Sequence, residues 1–359
     1  MKSILFLIES IGSGGAERQL TGLAAMLRGQ GYKVMVCYYI KKEFYLSFLQ
    51  ENGVESCCLS EASITYKRFF VLRKHIKSYN PDTVISFSSS PSMILSLSKA
   101  LGAKYSLLVS ERNTTQSLTI RERLRFFLYR WADIIIPNSQ SQGDFINKHF
   151  HNLSDKTHVI NNFVDTVKFS PAEVFLPQQK EIRMICVGRL MPQKNIPLFI
   201  EAINKVVLEG LSIHVDWFGH DPKDVYSEEC HNAIRRYNLE SFFEFHAPSS
   251  SIQEEYKKAD VFCLPSLYEG YPNVLCEAMS CGLPVLCSNV CDNPKIVTQD
   301  ENGFLFDPKD MESITNAIKQ LSRLSKEERA IMGQRNRKKM VENNSEETFL
   351  EAYIKLIEQ

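Results

Sequence analysis

The chain has 359 residues, 44% apolar and 23% charged, with 42 Lys and Arg against 42 Asp and Glu. That length suffices for two domains with a core each, and the composition excludes disordered and fibrous chains. The zero net charge hides an imbalance: residues 1–170 hold 21 Lys and Arg against 13 Asp and Glu, and residues 171–359 hold 21 against 29.

The apolar run 4–8 is too short for a signal peptide and is followed at once by Glu9. No run approaches the roughly 20 apolar residues that span a bilayer, so any membrane contact is expected to be peripheral. In the first half the apolar runs predict strands over 3–8, 33–39, 54–59, 83–87, 105–110, 133–136 and 158–160. Helical periodicity falls between them over 16–28, 67–79, 91–101 and 121–132. The pattern pauses at 169–181, where Pro171 and Pro177 mark a linker. It resumes with strands over 182–187, 213–218, 242–245, 261–264 and 285–288, and helices over 196–208, 226–237, 251–258 and 273–280. Helices are then predicted near 311–321 and 326–341, and a last one from Asn344 with Glu347 in a capping box.

Strand–helix alternation predicts parallel sheets covered on both faces. The fold class is therefore α/β, with two doubly wound, Rossmann-like domains. The expected boundaries are a first domain over 1–165, a linker over 166–181, a second domain over 182–341 and a helix over 342–359 packing back on the first domain. Ligands of such sheets bind beyond the carboxyl ends of the strands, here in a cleft between domains. Ten cysteines occur without a Cys-x-x-Cys pair, and Cys276, Cys281, Cys287 and Cys291 fit no common zinc spacing. Buried free thiols in a reducing compartment are expected.

Three constellations carry chemistry. After the first strand, Gly12, Gly14 and Gly15 precede Glu17. Glycines there let backbone approach a ligand, and the following helix N-terminus favours an anion. A nicotinamide-cofactor fingerprint would need glycine where Glu17 stands, and a plain strand-to-helix turn is the simpler alternative. After the first strand of the second half come Gly188, Arg189 and Lys194. This basic pair suits a diphosphate, or is merely two solvated charges. Glu269 and Glu277 lie eight positions apart, with Gly270 and Pro272 after the first. Pro272 suits the first turn of a helix, so the N–H groups of Asn273, Val274 and Leu275 would open an anion site. Carboxylates accept the paired hydroxyls of a ribose or hexose diol.

These motifs, in order and with Ala278-Met279 and Gly282, Pro284 and Val285 after Glu277, resemble the family 4 retaining glycosyltransferases of the GT-B fold, of the bacterial surface-polysaccharide type. The join Asn161-Asn162-Phe163-Val164-Asp165 resembles that family's interdomain Asn-Gly-Val-Asp, with Phe163 in place of Gly. The resemblance implies donor-diphosphate contacts by Arg189 and Lys194, ribose recognition by Glu277, a sugar contact by Glu269, and closure of Gly14 and Gly15 over the phosphates. Gly188, Asn273, Val274 and Leu275 belong to the same donor site. It implies no metal, and no cofactor is expected; no Asp-x-Asp tripeptide occurs.

Two departures stand out. Many relatives carry a His near the reacting sugar where this chain has Arg112, within Glu111-Arg112-Asn113. Arg cannot act as a base, so Glu17, Glu111, Arg112 and Asn113 are expected to contact acceptor or phosphate. After Ser288 the chain reads Val290-Cys291-Asp292-Asn293-Pro294-Lys295 where relatives often read Val-Gly-Gly-x-Pro-Glu.

Basic-aromatic stretches at 66–74 and 121–130 lie in the positive half. Interfacial helices look like this, as do amphipathic helices whose Phe residues face a core. The expected partners are a nucleoside-diphosphate sugar, a glycan or lipid-linked acceptor, and an anionic membrane surface through the N-terminal domain, with no nucleic acid. The expected location is the cytoplasm, peripheral on the inner face of the cytoplasmic membrane. The expected activity is transfer of a hexosyl or N-acetylhexosaminyl group in surface-glycan assembly. A GT-B nucleotide-sugar epimerase or hydrolase, and an inactive sugar-nucleotide-binding protein, are the alternatives.

Overall fold

The structure, a computed structural model, describes residues 2–59, 65–112, 114–115, 117–172 and 181–359. Asn113 and positions 173–180 of the expected linker lie outside the described residues. The elements of the first half are β1 Ser3–Ile8, α1 Gly15–Gly29, β2 Lys33–Tyr38, α2 Leu46–Glu51, β3 Glu55–Cys58, α3 Thr65–Tyr79, β4 Thr83–Phe87, α4 Ser89–Ala100, β5 Ser106–Glu111, α5 Ile120–Leu128, β6 Ile134–Pro137 and α6 Gln140–His149. Then come β7 Ile182–Val187, α7 Ile196–Leu208, β8 Ile213–Phe218, α8 Val225–Tyr237, β9 Phe243–His246, α9 Ile252–Tyr256, β10 Val261–Leu264, α10 Asn273–Ser280, β11 Val285–Ser288, α11 Asn293–Ile296, β12 Gly303–Phe306, α12 Met311–Ser322 and α13 Lys326–Asn343. The chain closes with α14 Glu346–Ile357.

Two compact units result: Met1–Phe163 with Glu346–Gln359, and Val164–Ser345. Each holds a six-stranded sheet, in the order β3-β2-β1-β4-β5-β6 and β12-β11-β10-β7-β8-β9. Every strand pair is parallel. Strand order reverses between β1 and β4 in one sheet and between β7 and β10 in the other, which creates a ligand crevice in each.

Central strands such as β1 are apolar on both faces because helices cover both. In β1, Ile4, Phe6 and Ile8 join a core with Leu20, Leu23 and Leu27 of α1, while Leu5 and Leu7 join another with Leu72, Leu95 and Phe126. Phe349, Tyr353, Leu356 and Ile357 form one face of α14 at helical spacing and are buried in the first unit's core. Phe163 packs at a tilt on Phe349, with ring centres 5.0 Å apart. Its ring fits because α1 offers Gly22, where a methyl group would lie 2.4 Å from it.

Several sequence expectations change. Residues 158–160 form no strand: His158 and Ile160 donate to the carbonyls of Ile135 and Pro137, but Pro137 has no N–H to return. The final helix begins at Glu346 instead of Asn344. Asn344 caps the C-terminus of α13, and its amide donates to Tyr271 Oη at 2.8 Å. A capping box joins Ser325 and Glu328 at the start of α13. The short elements α2, α11 and β12, and the polar helix α6, were not anticipated from periodicity. Among the described residues no helix is long and apolar enough to cross a membrane. All ten cysteines are free thiols, seven of them buried; burial pushes Cys276 and Cys281 up to about 12.

Candidate functional site

The second unit's site grows from the loops after β7 and β10, the two strands at its order reversal. Gly188 follows β7 and bonds both ways to β8: its N–H donates to Phe218 O at 2.9 Å, and its carbonyl accepts Trp217 Nε1 at 2.8 Å. Gly219, just after β8, lies so close that a methyl there would sit 1.9 Å from the Gly188 carbonyl oxygen. A methyl on Gly188 would meet Lys194 Cε at 2.8 Å. Gly188 thus leaves room for the Lys194 stem, and Gly219 for Gly188.

A tight turn over Pro192–Lys194 ends at Asn195, which adopts φ 57° and starts α7. Asn195 holds this left-handed conformation, which Asn tolerates, while its amide donates to Pro308 O at 2.6 Å. From this turn Lys194 Nζ reaches Glu269 Oε1 at 2.6 Å, with both side chains about nine-tenths shielded. Gln193 fastens the same two loops: its carbonyl accepts Leu267 N–H at 2.8 Å, and its amide donates to Tyr268 O at 2.8 Å. Arg189 is exposed beside Gly188.

Pro272 is the N-cap of α10 and not its first turn. The N–H of Leu275 already donates to Pro272 O at 3.2 Å, so Leu275 is not an open donor. The N–H groups of Asn273 and Val274 begin the helix. Glu277 is buried one turn inside, and Tyr256 Oη lies 3.4 Å from its Oε2. Past the C-cap of α10, Cys281, the chain turns at Gly282, φ 77°, against Gly333 of α13, where a methyl would lie 1.9 Å from Gly282 O. Glu269 and Glu277 therefore arise from different elements after β10: a shielded loop and a buried helical turn.

The first unit has its own order reversal, between β1 and β4. Gly14 caps α1 in extended conformation, and Gly14 and Gly15 are exposed. The Glu17 carboxylate folds over Gly14; a methyl there would lie 2.2 Å from Glu17 Oε2. The chain thus supplies its own anion at this helix N-terminus. After β4, Ser88 holds φ 74° and ψ 158°, a region that side chains other than glycine avoid.

Glu111 does not reach a surface. It is buried, accepts from Tyr129 Oη and pairs with Arg125 at 3.2 Å. Burial raises its carboxyl above the usual range, partly offset by Arg125 and Tyr129. Arg125, which the sequence placed among membrane-facing cations, is itself buried and also bonds Ser89 and Thr115 at 2.7 and 2.8 Å. A buried carboxylate at the end of β5 requires a cation, and Arg125 supplies it. Arg112, the next residue, donates to Asn162 Oδ1 at 2.7 Å and to Tyr353 Oη at 2.6 Å, and lies 4.4 Å from the Phe87 ring centre. Burial lowers its pKa, disfavouring the charged form.

Residues 13–168 match the family model described as Glycosyltransferase Family 4, and residues 171–339 match that described as Glycosyl transferases group 1. The chain belongs to the family 4 glycosyltransferases. This glycosyltransferase is 27% identical over 335 residues to the amylovoran biosynthesis glycosyltransferase AmsD of Erwinia amylovora, covering 89% of this chain and 90% of that protein. It is 24% identical over 333 residues to a Campylobacter jejuni N-acetylgalactosaminyltransferase named for a diphospho-undecaprenol-linked acceptor, covering 89% and 90%. Its GT-B fold matches the structure of Anabaena HepE in complex with UDP and glucose, with a TM-score of 0.87, 18% identity and all of both chains covered.

Three features of this glycosyltransferase escaped sequence reasoning. Gly219 reads as an ordinary glycine after a strand, and only the contact with Gly188 gives it a purpose. Tyr256 reads as a core aromatic, yet its hydroxyl faces Glu277. Ser88 carries no sequence signal, because strain at one residue leaves none.

Proposed function

We propose that this glycosyltransferase moves a hexosyl or N-acetylhexosaminyl group from a nucleoside-diphosphate sugar to a hydroxyl of a lipid-linked glycan, with retention of configuration. The observation that carries this reading is the Lys194–Glu269 pair, 2.6 Å apart on the two loops of the strand-order reversal. A diphosphate would take the ammonium, and the released Glu269 would take a sugar hydroxyl. The anomeric carbon–oxygen bond to the diphosphate breaks as the acceptor oxygen bonds the same carbon from the same face. The acceptor's proton passes to the departing phosphate oxygen. Arg189, Lys194 and the N–H groups of Asn273 and Val274 stabilise the charge gathering there. Glu277, steadied by Tyr256, accepts the ribose diol. AmsD is named for polysaccharide assembly, the Campylobacter relative for a diphospho-undecaprenol acceptor, and HepE was solved with UDP and glucose; these support the donor and acceptor classes.

Arg112 is held by neutral partners, Asn162, Tyr353 and the Phe87 ring. This suits a guanidinium that receives an acceptor phosphate. A lipid-linked acceptor would bring the enzyme to the inner face of the cytoplasmic membrane, and the exposed face of α5 supports it as the docking element. Ile120, Leu124 and Phe127 form one stripe, 88%, 51% and 49% exposed, flanked by exposed Arg121, Arg123 and Arg130. Anionic lipid complements such a face.

The two acids make the test. Calorimetric titration of Glu277→Ala should show at least tenfold weaker binding of both the bare nucleoside diphosphate and the nucleotide sugar. Glu269→Ala should weaken only the nucleotide sugar. Equal losses of bare nucleotide in the two variants would contradict the assignment.

A further inference from the structure

We propose that His214, Asp216 and Glu244 form a binding site for a divalent transition-metal cation of the zinc type, at the β8–β9 edge of the second sheet. This site lies apart from the donor residues, which follow β7 and β10, and its argument does not depend on the sugar-transfer reading.

β9 is the last strand of its sheet and β8 its neighbour. Strand alternation sends Ile213, Val215, Trp217 and Phe243 into the core. The other face carries His214, Asp216 and Phe218 on β8, with Asp216 in register with Glu244 and Phe218 with His246. Buried apolar side chains are the usual covering of a strand in a doubly wound sheet; here polar residues stand in their place, His214 and Asp216 half-buried and Glu244 exposed.

The hydrogen-bond chemistry of His214 points to a cation. Its Nδ1 lies 3.2 Å from the Ser241 carbonyl oxygen. A carbonyl only accepts, so Nδ1 donates there and Nε2 is the ring atom left for a ligand. That nitrogen faces Asp216 Oδ1 at 3.5 Å. This separation leaves room for one cation shared by the two atoms. Ligands bound at about 2.0–2.2 Å to one tetrahedral zinc ion stand roughly 3.3–3.5 Å apart. One ligand atom from each of His214, Asp216 and Glu244 lies within 4.8 Å of the other two.

An outer shell is also present. His246 Nε2 donates to Asp216 Oδ1 at 2.8 Å, and Arg183 donates to Oδ2 at 3.1 Å. Ser241 does the same service for His214, fixing its tautomer. Partners of this kind orient metal ligands and tune their basicity. An imidazole with two carboxylates selects zinc-type ions over magnesium or calcium, which prefer all-oxygen sets.

The test is calorimetric titration of zinc chloride into chelator-stripped protein at neutral pH. Wild type should bind one zinc ion at this site, insensitive to millimolar magnesium, with a raised thermal midpoint. Affinity should fall at least tenfold in Glu244→Gln and vanish in His214→Ala. Cobalt(II) in the wild-type protein should give ligand-field bands without a thiolate charge-transfer band, which separates this site from the cysteines. Zinc uptake unchanged in both variants, a thiolate signature, or no uptake would overturn the site. If His214→Ala fails to fold, the exposed Glu244→Gln decides alone. A proton in place of the metal would leave all proteins without zinc uptake, which also overturns it.

Discussion

At the scale of single residues, the loops after β7 and β8 depend on what is missing. Gly188 and Gly219 are opposed backbones with no space for a side chain between them. Gly219→Ala should therefore push β8's end away from Gly188 and displace Arg189 and Lys194. Overpacking of this kind costs roughly 1–3 kcal/mol, and the contact is with rigid backbone, so the upper end is expected. Differential scanning calorimetry should show a lower midpoint, with weaker nucleotide-sugar binding beside it. A wild-type midpoint would mean that the two loops can part without cost. The sequence marked Gly188 through the motif it opens, but nothing marked Gly219, since its partner is 31 positions away in the chain.

At the scale of elements, α5 separates two sets of side chains that the sequence had merged. Basic and aromatic residues alternate along it, and periodicity alone did not say which arginine faces inward. The structure turns Arg125 to Glu111, Ser89 and Thr115 and leaves Ile120, Leu124 and Phe127 outside. Replacing those three by Glu should abolish sedimentation with anionic vesicles at low salt, while stability changes little, as for most surface substitutions. Arg125→Ala should act in reverse. Lipid binding would persist, but loss of one partner of a buried pair should destabilise by about 3–5 kcal/mol, measured by denaturant unfolding. Undiminished sedimentation of the triple variant would move the docking face elsewhere.

At the scale of the whole molecule, the chain leaves the first unit at Phe163, builds Val164–Ser345, and returns with α14. Its Phe349, Tyr353, Leu356 and Ile357 join a core to which α1 and strands β1, β2, β4, β5 and β6 contribute. Tyr353 also bonds Ser110 at 3.2 Å and Arg112 at 2.6 Å. Deleting residues 346–359 removes several buried side chains, each worth about 2–5 kcal/mol. Limited proteolysis of the truncated protein should then cut within 1–163 and spare 164–345. Protection of both units after truncation would show that α14 is dispensable to the first core.

The local pattern of the sequence was enough to read two α/β sheets, because strand and helix periods are properties of short windows. It also marked Gly188, Lys194, Glu269 and Glu277 separately, after strand ends or inside a helix, and the family resemblance joined them into one expected site. Only the tertiary structure decided which charges meet. Lys194 pairs with Glu269 across 75 positions because β7 and β10 are neighbours at the order reversal. Glu111 turned inward because Arg125, on another element, is there to neutralise it. Leu275 was lost as an open donor because Pro272 sits one place earlier, as the cap. Long-range pairing follows from strand order, and strand order is not written in any window of the chain.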